Sequence, residues 1–289
     1  MCVTFSKYHS SGNDYLVYDC EKNSSLLTAD NIQMICSTNF GLGSDGIMVG
    51  PIQKEDGMHV RIFNPDGSEA ENSGNGLCIF AKYLRDAGYV TEPEIVLHTL
   101  GGPVRISYNR GDGTRVTVSM GKISFSREDI GCVGTPEQVV DVPLQFGDDT
   151  FRSTCVSIGN PHCVIPMNFV YKKRVCEIGQ YSESAKYFPN RINTQIVKVL
   201  DRNNIQIEIF ERGTGYTLAS GSCACAAAGA VYKLGLVDAD VCVHMPGGEL
   251  QVEILPDWSV TLIGDVCSVG KMILTDEFIR NNQIGCSSK

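Results

Sequence analysis

The chain carries an internal repeat at an offset of 147 residues, about half of its 289 residues. The matched positions are Gly12-Asn13 with Gly159-Asn160, Ile62-Phe63 with Ile209-Phe210, Ser73-Gly74 with Ser220-Gly221, and Cys78 with Cys225. All four matches share one register without gaps, and four independent coincidences would not do so. The sequence therefore predicts two copies of one folding unit.

Both copies predict the same order of elements. Each has a strand that enters a Gly-Asn turn, a short apolar strand, a glycine-bearing loop, an apolar helix and closing strands of alternating pattern. The first helix is expected to end at Gly88 as its C-cap, and the second to run from about Ser222 to Gly235. This order predicts an α+β fold of two pseudo-symmetric lobes, each a curved, mostly antiparallel sheet around a central helix.

The lobes are expected at residues 1–119 with 271–289, and at 120–270, with a ligand cleft between them. Hydrophobic residues make up 43% and charged residues 20% of the chain, as in globular proteins. The net charge of −9 disfavours nucleic acid and anionic membranes as partners. No apolar run approaches the ~20 residues of a membrane span, and the N-terminus lacks a signal-peptide core. We expect a cytoplasmic protein with a small-molecule ligand.

The 13 cysteines favour a reducing compartment, because their number is odd and no export signal accompanies them. Six lie among apolar neighbours and are expected to be buried and inert: Cys78, Cys155, Cys163, Cys176, Cys242 and Cys267. There is no Cys-x-x-Cys pair, and no histidine near Cys223 and Cys225 completes a zinc set, so no metal site is expected.

Two matched loops precede the two helices. Ser73-Gly74-Asn75-Gly76 and Ser220-Gly221-Ser222 would present free backbone N–H groups at the positive end of a helix dipole. Such loops bind a carboxylate or phosphate, although Ser and Asn also serve simply as helix caps. Both interpretations stay open for these loops.

Polar residues repeat at the same offset. The pairs are Asn13 with Asn160, Asn64 with Glu211, and Gly46 with Asn193. Asn64 and Glu211 directly follow Ile-Phe strand ends, which would aim both side chains at a cleft, although Asn after a strand is also a common turn residue. His162 is a candidate acid, base or orienting residue, with a structural role as the alternative.

Several ordered blocks together carry a family resemblance. They are Lys7–Asp14 (KYHSSGND), Gly41–Gly46 (GLGSDG), Arg61–Glu69 (RIFNPDGSE), Gly74–Gly76 (GNG), Gly159–His162 (GNPH) and Phe210–Gly215 (FERGTG). Across essentially the whole chain the sequence resembles the diaminopimelate epimerase family of cofactor-independent amino-acid racemases and epimerases. The resemblance implies a two-base reaction, in which a thiolate removes the α-proton on one face and a thiol delivers another on the opposite face. It implies neither a pyridoxal cofactor nor a metal.

The resemblance also implies a set of site residues. The expected catalytic positions are Ser73, Ser220, Glu211 and His162, and the expected substrate-binding positions are Asn13, Gly46, Asn64, Gly74, Asn75, Gly76, Asn160, Asn193, Arg212, Tyr216, Gly221 and Ser222. Ser73 and Ser220 stand where the family has its two catalytic cysteines, and Tyr216 stands where it typically has Glu. A serine hydroxyl titrates roughly five units above a thiol, so forming the base would cost about 7 kcal/mol more. Cys223, Cys78 and Cys225 are expected to pack in the core rather than replace the missing thiols.

Three functions follow from these residues. The first is an isomerase that inverts the α-carbon of diaminopimelate or a related amino acid, with Glu211 and His162 as proton carriers and the serines as hydrogen-bond donors. The second is an amino-acid-binding homologue without catalysis, and the third is a proton-shifting isomerase that uses Glu211 alone. The serines reflect either engineering to trap a substrate or a diverged branch, and Tyr216 favours divergence. The expected partner is a small amino acid, and the assembly considered is a homodimer.

Overall fold

The computed structural model describes residues 3–285, in which eighteen strands and six helices form. In chain order they are β1 Thr4–Ser10, β2 Asn13–Tyr18, α1 Ala29–Cys36, β3 Ile47–Lys54, β4 Gly57–Phe63, β5 Glu69–Ala70, α2 Gly74–Asp86, β6 Glu94–Thr99, β7 Gly102–Tyr108, β8 Arg115–Lys122, α3 Arg127–Ile130, β9 Val142–Phe146, β10 Asp149–Ser157, β11 Pro161–Pro166, α4 Lys172–Ser182, β12 Asn193–Asp201, β13 Asn204–Glu211, β14 Gly215–Thr217, α5 Gly221–Lys233, β15 Asp240–Met245, β16 Gly248–Ile254, β17 Ser259–Asp265, β18 Cys267–Ile273 and α6 Asp276–Asn281. The predicted α+β class is confirmed. Across the same residues, none of the helices has the length and apolar character that spanning a membrane requires.

The chain divides into two compact units. The first runs to Val118 and resumes at Gly264, and the second is Ser119–Ile263. The sequence places the return to the first unit at residue 271. In the structure the return comes earlier, because β18 pairs antiparallel with β1 along most of its length.

Strand register within each unit confirms the internal repeat. In the first unit β2 and β3 are parallel and Leu16 pairs with Ile47; in the second β11 and β12 are parallel and Cys163 pairs with Thr194. Both partners of the second pair lie 147 residues after those of the first. Helices α2 and α5 each contain 13 residues and begin at the same offset.

The offset falls to 146 after the helices. Leu97 pairs with Val104 in the β6–β7 hairpin, and Val243 pairs with Leu250 in the β15–β16 hairpin. The loop between helix and strand is one residue shorter in the second unit, which accounts for the change. Sequence matching at one fixed offset therefore loses the repeat at this point.

Each long helix is the centre of its own unit's core. Helix α2 packs on β1, β2 and β3, and α5 packs on β10, β11, β12 and β16. The alanines of α5 are fully buried, and small residues let it approach the sheet closely. A Cβ atom on Gly229 would lie 2.5 Å from Cδ1 of Ile123. The C-cap of α2 is Ala87, one residue before the expected Gly88. Gly88 follows this C-cap with positive φ, as Gly235 follows the Leu234 C-cap of α5.

The six cysteines expected to be buried fall into two groups. Cys78, Cys155 and Cys163 are fully buried, Cys176 and Cys242 are half-buried, and Cys267 is exposed. The expectation of burial was wrong for Cys242 and Cys267, because the apolar neighbours of a strand residue point to the opposite face. Cys176 lies in helix α4, where it is half-buried and packs against the core of the second unit. Val241 and Val243 are buried on either side of Cys242, which therefore faces away from the core.

Candidate functional site

Ser73 is the N-cap of helix α2. Its backbone is extended, with φ −152° and ψ 112°, and its Oγ accepts a hydrogen bond from the Gly76 N–H at 3.1 Å. The hydroxyl of Tyr15 lies 3.1 Å from the same Oγ. Ser73 thus performs the capping role considered for it while also contacting a second hydroxyl group.

Asn75 lies in the first turn of α2 and is only 2% exposed. Within residues 3–285, neither its Oδ1 nor its Nδ2 atom has a hydrogen-bond partner. A buried, unpaired polar group costs about 1–3 kcal/mol. The first N–H groups of a helix also have no intrahelical partner. The N-terminal turn of α2 therefore combines unsatisfied amide groups with a positive helix end, which suits an anionic ligand.

The other first-unit candidates are engaged locally. Asn13 Nδ2 donates to Asp45 Oδ2 at 2.9 Å, and Asn64 Nδ2 donates to Ser68 Oγ at 3.0 Å in a turn. A Cβ atom on Gly46 would lie 2.5 Å from the Tyr15 ring, so packing alone requires glycine there. The contacts of these three residues thus give each of them a structural role within the first unit.

Ser220 holds the matching place before α5 but behaves differently. Its backbone is again extended, with φ −153° and ψ 125°, yet its side chain makes no capping hydrogen bond. Instead, its Oγ donates to Glu211 Oε2 at 3.1 Å and lies 3.4 Å from the Ser222 Oγ. Glu211 ends strand β13, so the strand end delivers a carboxylate to the helix N-terminus. The structure therefore brings together three predicted site residues, Glu211, Ser220 and Ser222, with Gly221 between the two serines.

Tyr216 lies on the other face of the same strands. It pairs with Phe210 across β13–β14, and cross-strand partners point to the same face, opposite Glu211. Its hydroxyl donates to Glu208 Oε2 at 2.9 Å, and burial, then the Glu208 contact, raises the pKa of Tyr216 to about 12. The structure thus separates Tyr216 from the Glu211–Ser220 pair. On the Glu211 face, Thr217 has an Oγ1 atom without a partner in the described chain, and sequence analysis missed it.

Asn193 and Arg212 stabilise the loop after β13. Asn193 is buried; its Oδ1 accepts from the Arg212 N–H at 2.9 Å, and its Nδ2 donates to the Pro161 carbonyl at 3.0 Å. The Arg212 guanidinium donates to the Asn190 carbonyl at 3.2 Å. These contacts position the loop that follows Glu211.

His162 is completely buried beside Gln195. Its Nε2 lies 2.9 Å from Asn160 Oδ1. Burial lowers the pKa of His162 to about 3, so the ring is neutral near pH 7. A buried neutral ring disfavours the acid or base role considered for His162, and its contact makes it a positioning residue for Asn160.

Cys223 lies directly beneath Ser220 in the first turn of α5. It is fully buried, and Gln195 Nε2 donates to its Sγ at 3.1 Å. Burial, and next the Glu211 charge, raise the pKa of this thiol well above its usual range. Cys223 therefore stays protonated and does not act as a thiolate base, in agreement with its expected place in the core.

Comparison with known proteins shows which family this chain matches. The family model described as diaminopimelate epimerase matches residues 5–126 and 154–267. "Diaminopimelate epimerase 2" of Nostoc sp. is 44% identical over 276 residues, which cover 95% of this chain and 96% of that protein. "Diaminopimelate epimerase" of Synechocystis sp. is 39% identical over 257 residues, covering 88% and 91%.

Solved structures show the same fold at low identity. A hydroxyproline epimerase from Agrobacterium vitis has a TM-score of 0.68 at 14% identity, covering 94% of this chain and 91% of that one. A phenazine biosynthesis protein of the PhzF family from Bacillus anthracis has a TM-score of 0.67 at 18% identity, covering 95% and 99%. With the family model matched along most of its length, this chain belongs to the diaminopimelate epimerase family.

Proposed function

We propose that this chain is a cofactor-independent isomerase that moves the α-proton of an amino acid with a free carboxylate, diaminopimelate being the first substrate to test. Family membership supports the reaction class, and the curated relatives carry that substrate in their names. The observation that carries the proposal is the Glu211–Ser220 contact, which holds a carboxylate at the N-terminus of α5. A carboxylate can serve as a general base, and the helix end favours developing negative charge.

The proposal assigns complementary roles to the two helix N-termini. The unsatisfied Asn75 amide and the first N–H groups of α2 bind the substrate carboxylate. Glu211 accepts the α-proton, and the Ser220 hydroxyl orients the carboxylate by its hydrogen bond. The Tyr15 and Ser73 hydroxyl groups, 3.1 Å apart, form the second proposed proton-carrying pair.

Solvent deuterium exchange tests the proposal. The protein is incubated with diaminopimelate and a panel of small amino acids in D₂O, and the products are followed by NMR and chiral chromatography. Deuterium at the α-carbon together with inversion is expected. Binding without exchange would instead identify a non-catalytic binding protein, and exchange with double-bond migration would identify a proton-shifting isomerase that uses Glu211 alone.

Glu211→Gln is the matched variant for this assay. The amide keeps the size of the side chain and still accepts a hydrogen bond from Ser220, but it cannot take up the proton. Loss of exchange with substrate binding retained would support Glu211 as the base. Unchanged exchange would contradict that role.

A further inference from the structure

The β15–β16 hairpin brings together three side chains of the kinds that bind transition metals. Cys242 and His244 are two residues apart in β15 and share one face, while Glu249 of β16 pairs directly with His244. Their Sγ, imidazole nitrogen and carboxylate oxygen atoms lie within 4.8 Å of one another. We propose that this Cys242–His244–Glu249 cluster is a binding site for a divalent transition metal of the Zn²⁺ class.

The hydrogen bonds around His244 carry the proposal. His244 Nε2 lies 2.9 Å from Asn204 Oδ1, and Nδ1 lies 2.9 Å from Glu249 Oε1. The amide orientation of Asn204 is fixed, because its Nδ2 donates to both oxygens of Asp201 at 2.9 and 3.0 Å. Asn204 Oδ1 can only accept, so Nε2 carries the proton. In neutral imidazole this leaves the lone pair of Nδ1 directed at a carboxylate.

Two acceptors facing each other at 2.9 Å require a positive charge between or on them. Either Nδ1 is also protonated, or a cation lies between Nδ1 and Glu249. The second arrangement matches a common feature of metal sites, where the ligating histidine donates its other N–H to an oxygen and so fixes the ring. Cys242 supplies a third atom of a kind that binds such a cation, because its Sγ donates to Glu249 Oε2 at 3.8 Å beside the imidazole.

The spacing of the ligand atoms fits a tetrahedral ion. Bond lengths of about 2.0–2.3 Å to Zn²⁺ place neighbouring ligand atoms about 3.3–3.8 Å apart. Cys242 Sγ lies 3.8 Å from Glu249 Oε2, and the His244–Glu249 distance of 2.9 Å needs only a small rotation of an exposed side chain. Sulfur, imidazole and carboxylate together suit Zn²⁺ or Co²⁺ rather than Mg²⁺ or Ca²⁺. Binding releases the Cys242 thiol proton to solvent, and water completes the coordination.

The cluster is distinct from the proposed substrate site. Cys242 pairs with Asn204 at the start of β13, whereas Glu211 ends the same strand seven residues later, about 23 Å away. A metal at this distance takes no part in proton transfer. It would instead connect the β15–β16 hairpin to β13 through Asn204.

Cobalt titration of the full-length protein tests the site. Co²⁺ is expected to produce a thiolate-to-cobalt charge-transfer band that Zn²⁺ abolishes at one equivalent. Cys242→Ser should remove the band, whereas Cys267→Ser, which changes an exposed cysteine in the first unit, should retain it. A band that survives Cys242→Ser, or no band in the unchanged protein, would overturn the proposal.

A second variant tests the orienting contact without removing a ligand. Asn204→Ala should weaken Zn²⁺ binding about 10- to 100-fold, measured by competition with a chelating dye. Asn109→Ala is the matched control, since Asn109 accepts a hydrogen bond from Thr117 in the first unit and its loss should leave the Zn²⁺ affinity unchanged. Equal affinities for the Asn204→Ala variant and the unchanged protein would contradict the hydrogen-bond argument.

Discussion

Ser73 and Ser220 occupy equivalent positions of the repeat, yet they direct their hydroxyl groups differently. Ser73 accepts a hydrogen bond from its own helix, while Ser220 donates to a neighbouring strand end. The difference follows from the residue that ends each strand: Asn64 is engaged in its turn, whereas Glu211 offers an acceptor. One repeat position thus gives a structural cap in one unit and a carboxylate contact in the other.

This difference predicts unequal effects on stability. Ser73→Ala should lower the free energy of unfolding by about 1 kcal/mol, because the Gly76 N–H loses its cap. Ser220→Ala should cost less, since it removes no capping bond and water can replace the Ser220 hydroxyl at the half-buried Glu211 carboxylate. Urea denaturation of both variants measures the two values under one condition. Equal losses would contradict the capping assignment.

Replacing Asn75 is expected to raise the stability of the ligand-free protein and to remove substrate binding. Asn75→Leu replaces an unpaired buried amide with an apolar group of similar size, so the ligand-free protein should gain about 1 kcal/mol of stability. The same change should abolish binding of the substrate carboxylate. Urea denaturation and calorimetric titration with diaminopimelate give the two readouts. A variant that binds normally would show that the buried amide does not contact the ligand.

At the scale of elements, the parallel β11–β12 pair buries His162 next to Asn193 in the ladder. The pKa of His162 is lowered to about 3 in the folded protein, from an ordinary value near 6.5. A depressed pKa means that the unfolded chain binds the proton more readily. The contribution of neutral His162 to the free energy of unfolding is therefore fully present above pH 6.5, and it declines as the pH falls toward 3.

His162→Gln should reduce this acid sensitivity. The free energy of unfolding, measured by urea denaturation between pH 7 and pH 4, should decline less steeply for the variant than for the unchanged protein. His98→Gln is the control, because His98 is partly exposed and belongs to another strand. Identical pH slopes for the His162→Gln variant and the unchanged protein would show that His162 does not titrate as its burial requires.

The order of the elements could be predicted where the sequence alternates or repeats. The directions of side chains in short strands could not be predicted. The 13 residues of α2 and α5 follow from matched loops and apolar patterns. Tyr216 lies in the three-residue strand β14, and such a strand has no periodicity to show which face it presents. Cys242 and His244 illustrate a related difficulty, because Glu249 becomes their neighbour only through the hairpin register.

At the scale of the whole molecule, the repeat gives each unit one hydroxyl group, Ser73 or Ser220, at a position where the family resemblance implies a thiol. A thiol ionises near neutral pH, whereas serine does not, and the difference of about 7 kcal/mol corresponds to a ceiling of about 10⁵ in rate. Serine at these positions therefore cannot act as the base in place of a thiol, and the proposed reaction in the unchanged protein depends on Glu211.

Replacing both serines by cysteine should accelerate α-proton exchange. Ser73→Cys with Ser220→Cys supplies a base and an acid, while either change alone supplies one of the two and should do far less. Deuterium uptake into diaminopimelate is measured for both single variants and for the double variant. The rate gain of the double variant is expected to exceed the combined gains of the two single variants. A single variant as fast as the double would contradict a reaction that needs two thiols. A double variant slower than the unchanged protein would show that the serines belong to a different native reaction, in which Glu211 alone moves the proton.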